Sequence, residues 1–424
     1  MSETRARQFG RTPRLRRVER QARPSPRTFH ALAHYRPFRL LWSASVLFTA
    51  SQWMQNIGLG WLGYQMTNSE GFVGALAFAS GVPFVLVSIP GGAMLDRYDR
   101  RTVLMVGQAL AAFCAACLAG DVLSGHATPT HLVVAAILNG CFQAVITPSQ
   151  QSLVPRLVEP ADLQNALGLM SAGGNMTRVV GPALSGVLIA ALGTGYPFLV
   201  QAIAVLAAFV IVLRTPFPTM AAGTARMSLT LVVEGIRIVK RRHDLREIFL
   251  LNALPSLLIF PYLSFLNVYA EDVMRIGSQG LGMLLASSGI GAVIGGLMIA
   301  SLRSMTGIGV RLYLGTILYC LILMVFAVYS ALILALPLLL AAGLVGSWVF
   351  SANNSLMQAR ISDDIRGRVM GTYILTWGLM PTGALWMGEV AQRWNVQTST
   401  FTGGSVCLVL VVILWLRSQE LAGI

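Results

Sequence analysis

The chain has 424 residues, of which 55% are hydrophobic and 11% charged. A soluble domain carries about 25% charged residues, so the apolar excess is set against lipid and a soluble globular fold is excluded. The net charge of +14 resembles a nucleic-acid signal, but it is better explained by the membrane side on which the basic residues fall.

Residues 1–35 read as a disordered basic cytoplasmic tail, rich in Arg, Pro and Ser with little to bury. Arg5 to Arg39 supply eleven basic residues before the first span. No apolar core precedes Leu40, so no cleavable signal peptide is expected. Apolar runs of about 20 residues, each enough to cross roughly 30 Å of hydrocarbon, then recur. Twelve spans are placed near 38–65, 72–94, 102–123, 131–154, 163–191, 196–214, 247–270, 279–302, 311–329, 332–357, 367–391 and 398–416. The domains are a six-helix bundle over 36–214, a linker over 215–246, a second six-helix bundle over 247–417 and a short cytoplasmic tail over 418–424. Arg275 and Arg393 fall in outer loops and Arg178 falls within a span; the rest of the 31 basic residues share one side. The positive-inside rule makes that side cytoplasmic, with both termini on it.

The stretch Gly91–Arg101 joins spans two and three with Asp96, Arg97, Asp99, Arg100 and Arg101 in close order. Such a charged hairpin belongs at a membrane surface. Cys114, Cys117, Cys141, Cys320 and Cys407 all fall in spans, so no secreted disulfide framework is implied. The linker's Pro216 and Pro218 end span six. Beyond them Leu229, Val232, Val233, Ile236 and Val239 recur at helical spacing, with Arg237, Lys240 and Arg241 mostly on other faces. That pattern predicts a helix lying on the inner membrane surface. The halves also echo each other. Ser149 to Val154, ending span four, parallels Ala352 to Met357, ending span ten. Weak symmetry between six-span halves is a mark of secondary transporters.

Three segments resemble the major facilitator superfamily. In the hairpin, Gly92, Asp96, Arg97, Arg100 and Arg101 match the family's cytoplasmic loop pattern, with Asp99 in place of a second glycine. In span five, Gly168, Gly181, Pro182 and Gly186 match the exporter-type glycine series, with Thr177 and Ser185 in place of glycines. Phe38 to Trp42, Trp61 to Ser69, and Pro155 to Val158 resemble the branch of enterobactin exporters and macrolide-efflux proteins. The resemblance implies an all-α membrane fold of twelve transmembrane helices in two pseudo-symmetric six-helix bundles. It also implies drug, macrolide or siderophore efflux, driven by proton antiport, in a bacterial inner membrane. Two departures stand out: residues 139–143 of span four carry no arginine, and residues 51–56 of span one carry no acid.

Arg178 is the sharpest candidate for the substrate pathway. A cation at membrane depth costs about 2.5–3.5 kcal/mol on insertion scales, so it should face a wet cavity or a partner. It could attract an anionic substrate or tie helices together. Gln52, Gln55, Asn56, Asn139, Gln143, Asn252, Asn353 and Asn354 are uncharged polar candidates for the pathway, others of the same kind being interhelical pairs. Trp53, Phe260, Tyr262 and Trp377 could stack against a ring-bearing substrate. Glu389 and Asp121 are the proton-coupling candidates, and Asp96 the gate acid. No cofactor or metal is expected: the histidines are scattered, and Lys240, the chain's sole lysine, sits in no phosphate loop. The expected partners are a small-molecule substrate, protons and the lipid bilayer, with the chain a monomer. Import of a small metabolite is the nearest rival. A membrane-embedded thiol redox enzyme using Cys114 and Cys117 is the other.

Overall fold

The computed structural model describes residues 29–217, 229–300, 307–329 and 331–417. The tail up to residue 28, the linker stretch 218–228 and the tail 418–424 lie outside the described residues, as do the side chains of Asp96 and Trp377. Among the described residues every regular element is helical. Ten helices among the described residues are long and apolar enough to cross a membrane.

The first half holds α1 (Arg36–Thr67), α2 (Glu70–Arg97), α3 (Arg100–Leu123), α4 (Pro129–Leu153), α5 (Leu163–Leu192) and α6 (Tyr196–Arg214). Start signals lie in the sequence. Ser69 accepts from Phe72 N at 3.1 Å to cap α2, and Thr128 with Pro129 opens α4. Helix α1 falls outside the apolar set because Gln52, Gln55 and Asn56 lower its hydropathy over 32 residues.

After the linker helix α7 (Leu229–Arg241) come α8 (His243–Leu258), α9 (Gly277–Ala300), α10 (Ile308–Val328) and α11 (Leu332–Arg360). Then follow α12 (Asp363–Ile374), α13 (Leu379–Arg393) and α14 (Val396–Arg417). Beyond α8 the chain passes through a 3-10 stretch, Phe260–Phe265, and a π turn, Tyr269–Val273. Pro261 has no amide to donate, which breaks the regular ladder there.

One large core cluster fills the second half and takes in Trp61, Tyr64, Val73 and Ile189 of the first, and two smaller clusters lie within the first half. The halves meet along α2 with α13 and along α5 with α9. Glycine permits both approaches. A Cβ on Gly186 would stand 2.7 Å from Gly282 Cα, and one on Gly74 would stand 2.5 Å from the Ala384 carbonyl oxygen.

Two expectations are corrected. Residues 30–34 form a helical turn rather than part of a disordered tail. Ala31 is fully buried and its N–H donates to Asn165 Oδ1 at 3.0 Å, while Tyr35 donates to Asp162 at 2.9 Å. That hydrogen bond to Asp162 raises the Tyr35 phenol above its ordinary pKa. The linker helix also turns part of its apolar face to protein. Val239 is buried, a Cβ on Gly235 would stand 2.2 Å from the Arg368 carbonyl oxygen, and Glu234 pairs with Arg368 at 3.4 Å.

Candidate functional site

A cavity of about 450 Å³ lies between the halves, lined by α1, α2, α4 and α5 on one side and by the second half on the other. Arg178 on α5 reaches into its wall, one turn before Pro182, which also lines it. Among the described residues lining the cavity, Arg178 is the sole charged one. Its guanidinium carbon lies 5.5 Å from the Trp53 ring centroid. Such a cation–π contact is worth about 0.5–2 kcal/mol, which offsets part of the cost of placing the charge at depth. No carboxylate faces Arg178 among the described residues; the groups in electrostatic reach are the hydroxyls of Tyr262 and Tyr319 across the seam. Tyr262 in turn contacts Ser288 Oγ at 3.2 Å, and Ser288 lines the cavity. The guanidinium therefore keeps donors to offer a solute.

Gln52, Asn56, Asn139 and Gln143 line the same cavity. The other polar candidates are placed elsewhere. Gln55 accepts a hydrogen bond from Gln201, and Asn252 donates to Thr376 at 2.6 Å. Asn353 donates to the Ile248 carbonyl at 3.0 Å and accepts from Tyr373 at 3.1 Å. Asn354 accepts from exposed Gln358. These four hold helices or turns together. Trp53 lines the cavity, whereas Phe260 packs edge-on against Tyr319 and Phe350 behind it.

The proton-coupling candidates stand away from the cavity. Glu389 pairs with Arg393 at 2.7 Å with both side chains more than half exposed, and Asp121 pairs with exposed His131 at 3.0 Å. In the charged hairpin, Asp99 accepts from Thr102 N at 2.9 Å and so caps α3. That accounts for an acid where the family pattern has glycine. Arg100 donates to the Ser152 carbonyl at 3.2 Å and Arg101 to the Leu213 carbonyl at 2.8 Å, binding the hairpin to α4 and α6. Arg97 is exposed. In the glycine series, Gly181 abuts Trp53 and the Ala50 carbonyl, Gly186 abuts Gly282, and Gly168 has open space around it. Ser185, standing for a glycine, donates to the Met54 carbonyl at 3.3 Å. Cys114 and Cys117 are free thiols, Cys117 exposed, and neither lines the cavity.

Several contacts escaped the sequence reading. On the Glu70 side of the cavity, Tyr64 donates to Asp272, Asn267 donates to the Gly60 carbonyl at 2.7 Å, and Gln392 accepts from Ser69 and from the Gly71 amide. All join one half to the other. Glu247, 2% exposed, accepts from Tyr313 at 3.3 Å.

A family model described as transmembrane secretion effector, in the MFS class, matches residues 28–422. A staphyloferrin A transporter of Staphylococcus aureus is 26% identical over 90% of this chain and 97% of its own length. The multidrug efflux pump Tap of Mycolicibacterium fortuitum is 25% identical over 89% of this chain and 94% of its own. Among solved structures, a mutant of the nucleoside transporter NupG matches with a TM-score of 0.75 at 15% identity, covering 90% of this chain and 99% of that one. A bacterial homologue of the iron transporter ferroportin, in an inward-facing state, matches with a TM-score of 0.67 at 17% identity, covering 89% and 98%. At these identities the structural matches speak to the fold alone.

Proposed function

This chain belongs to the transmembrane secretion effector family of major facilitator transporters, and on that premise we propose that it exports a small amphipathic molecule bearing an anionic group. The family and its relatives are transporters, so the chain is a membrane transporter and not an enzyme. The observation that carries the proposal is Arg178, the one charged residue among the described residues lining a cavity shared by both halves, lying over the Trp53 ring. An acidic drug or a carboxylate siderophore suits that wall of aromatic, amide and guanidinium groups. The efflux relative and the helix-five glycine series support export over import.

In this reading α1 and the interrupted α12–α13 also cross the bilayer, giving twelve spans in two bundles. The Arg97 end is cytoplasmic, as the arginine excess requires. The contacts from Tyr64 to Asp272 and from Ser69 to Gln392 then close the outer side, leaving the chain inward-facing. Proton antiport drives the cycle in a bacterial inner membrane, with Asp96 acting in the inner gate and the chain working as a monomer.

Transport into inverted membrane vesicles tests this, using macrolides, siderophores and lipophilic cations with and without a pH gradient. Uptake of an anionic amphiphile that needs an acid interior and is lost in Arg178→Ala, at matched abundance, is the expected result. Uptake confined to right-side-out vesicles overturns export. Wild-type uptake in Arg178→Ala overturns the anion site.

A further inference from the structure

Gln52 is 3% exposed and lines the cavity, yet neither its Nε2 nor its Oε1 has a hydrogen-bond partner. Leaving a buried polar group unsatisfied costs about 1–3 kcal/mol. Gln55, nearly one turn further on, meets Gln201, so this helix can satisfy an amide where packing requires one. Gln108 is also unpartnered, but it lines no part of the cavity and offers a solute nothing. Gln52 is different because of its neighbour: Trp53, the next residue, carries the Arg178 guanidinium over its ring.

The two groups have complementary chemistry. Arg178 supplies donors and no acceptor, whereas a carboxamide supplies two donors and an acceptor. A plain carboxylate satisfies the guanidinium and leaves the Gln52 oxygen without a donor. A carboxylate with a hydroxyl or amide N–H beside it satisfies both. We propose that Gln52 is a specificity-determining residue that reads a hydroxyl or amide group flanking the substrate's anionic group. This rests on the anion site centred on Arg178. Gln52 and Arg178 line the same cavity.

Calorimetric binding to the full chain in lipid nanodiscs tests it with three probes: phenylacetate, mandelate (the same acid with a hydroxyl beside the carboxylate) and 2-phenylethylamine. Wild type should bind mandelate about tenfold tighter than phenylacetate and the amine not at all. In Gln52→Leu and Gln52→Met that ratio should fall to about one, with phenylacetate affinity retained. The melting temperature of both variants should match or exceed wild type, because an unsatisfied amide has been removed; a purely structural glutamine would lower it. Arg178→Ala should lose both acids. If it does, and the mandelate preference survives in both position-52 variants, the Gln52 role alone falls. The same holds if both variants melt lower and bind neither acid. If Arg178→Ala binds both acids like wild type, or wild type binds neither, the anion site falls and takes the Gln52 role with it.

Discussion

Replacing Arg178 by lysine keeps the charge and removes the plane. A guanidinium stacks on an indole and presents a fork of donors, while an ammonium is a compact, strongly hydrated point. Weakening the cation–π contact with Trp53 and losing the fork of donors is worth about 1 kcal/mol, so Arg178→Lys should raise the apparent KM for export about fivefold with surface abundance unchanged. Equal KM values would show that charge alone matters at this position. Asp99 makes a separate prediction. Its carboxylate caps α3 through Thr102, so Asp99→Ala should cost about 1 kcal/mol of stability, read as a lower melting temperature. Asp99→Asn should recover most of it, since asparagine caps nearly as well. At this scale the sequence announced the residue types and not their destinations. Gln52 and Gln55 are three positions apart on one helix, yet the first lines the cavity and the second is taken by Gln201. Helical spacing puts both on nearly the same face and cannot tell which one a neighbouring helix will satisfy. Glu389, late in span eleven, is a proton-coupling candidate by sequence; in the structure it is exposed and pairs with Arg393, four residues on.

Helix by helix, apolar length made most of the spans legible before any coordinates. What it could not show was where a span stops being an α-helix. The stretch 367–391 reads as one span, but the chain breaks into α12, a 3-10 turn at Leu375–Gly378 and α13. Pro381 explains the position: it has no N–H to give the carbonyl four residues earlier, so the ladder slackens just before it. Pro381 also packs on Gly81 across the seam, where a Cβ on that glycine would stand 1.8 Å from the proline ring. The α5–α9 contact depends on glycine in the same way. In Gly186→Ala the new methyl would lie 2.7 Å from Gly282 Cα and 3.0 Å from the Ser278 carbonyl oxygen. Backbone on both sides leaves no flexible side chain to yield, so overpacking of about 1–3 kcal/mol is expected. We predict a lower melting temperature and reduced transport in Gly186→Ala. Gly168→Ala, with nothing around the new methyl, should transport like wild type. Equal behaviour of the two variants would mean that the glycine series acts through something other than close packing.

For the whole molecule, the proposed export turns on how the halves are joined on the Glu70 side. The seam combines glycine-permitted backbone contacts, a few hydrogen bonds and the apolar packing of Trp61, Tyr64, Val73 and Ile189 into the second half's core, and it buries no ion pair between halves among the described residues. Alternating access, as proposed, requires this joint to part, and a substrate shifts the balance of two states only by its differential affinity for them. Tyr64 is 4% exposed and Asp272 is exposed, and their hydrogen bond crosses from one half to the other. Removing the phenol hydroxyl leaves Asp272 free to take water, so no buried orphan is created on the acid. The net loss is that of one hydrogen bond to a charged acceptor, about 1.5 kcal/mol, or roughly a tenfold shift in the balance toward the state open on this side. Tyr64→Phe should therefore speed labelling of a cysteine placed at Asn56, in a cysteine-free background, by a membrane-impermeant thiol reagent added outside intact cells. Glu389→Gln, remote from the cavity, should change neither that labelling nor drug-induced proton flux. If Tyr64→Phe leaves the labelling rate where it was, the Tyr64–Asp272 bond is not one of the contacts that hold this side closed.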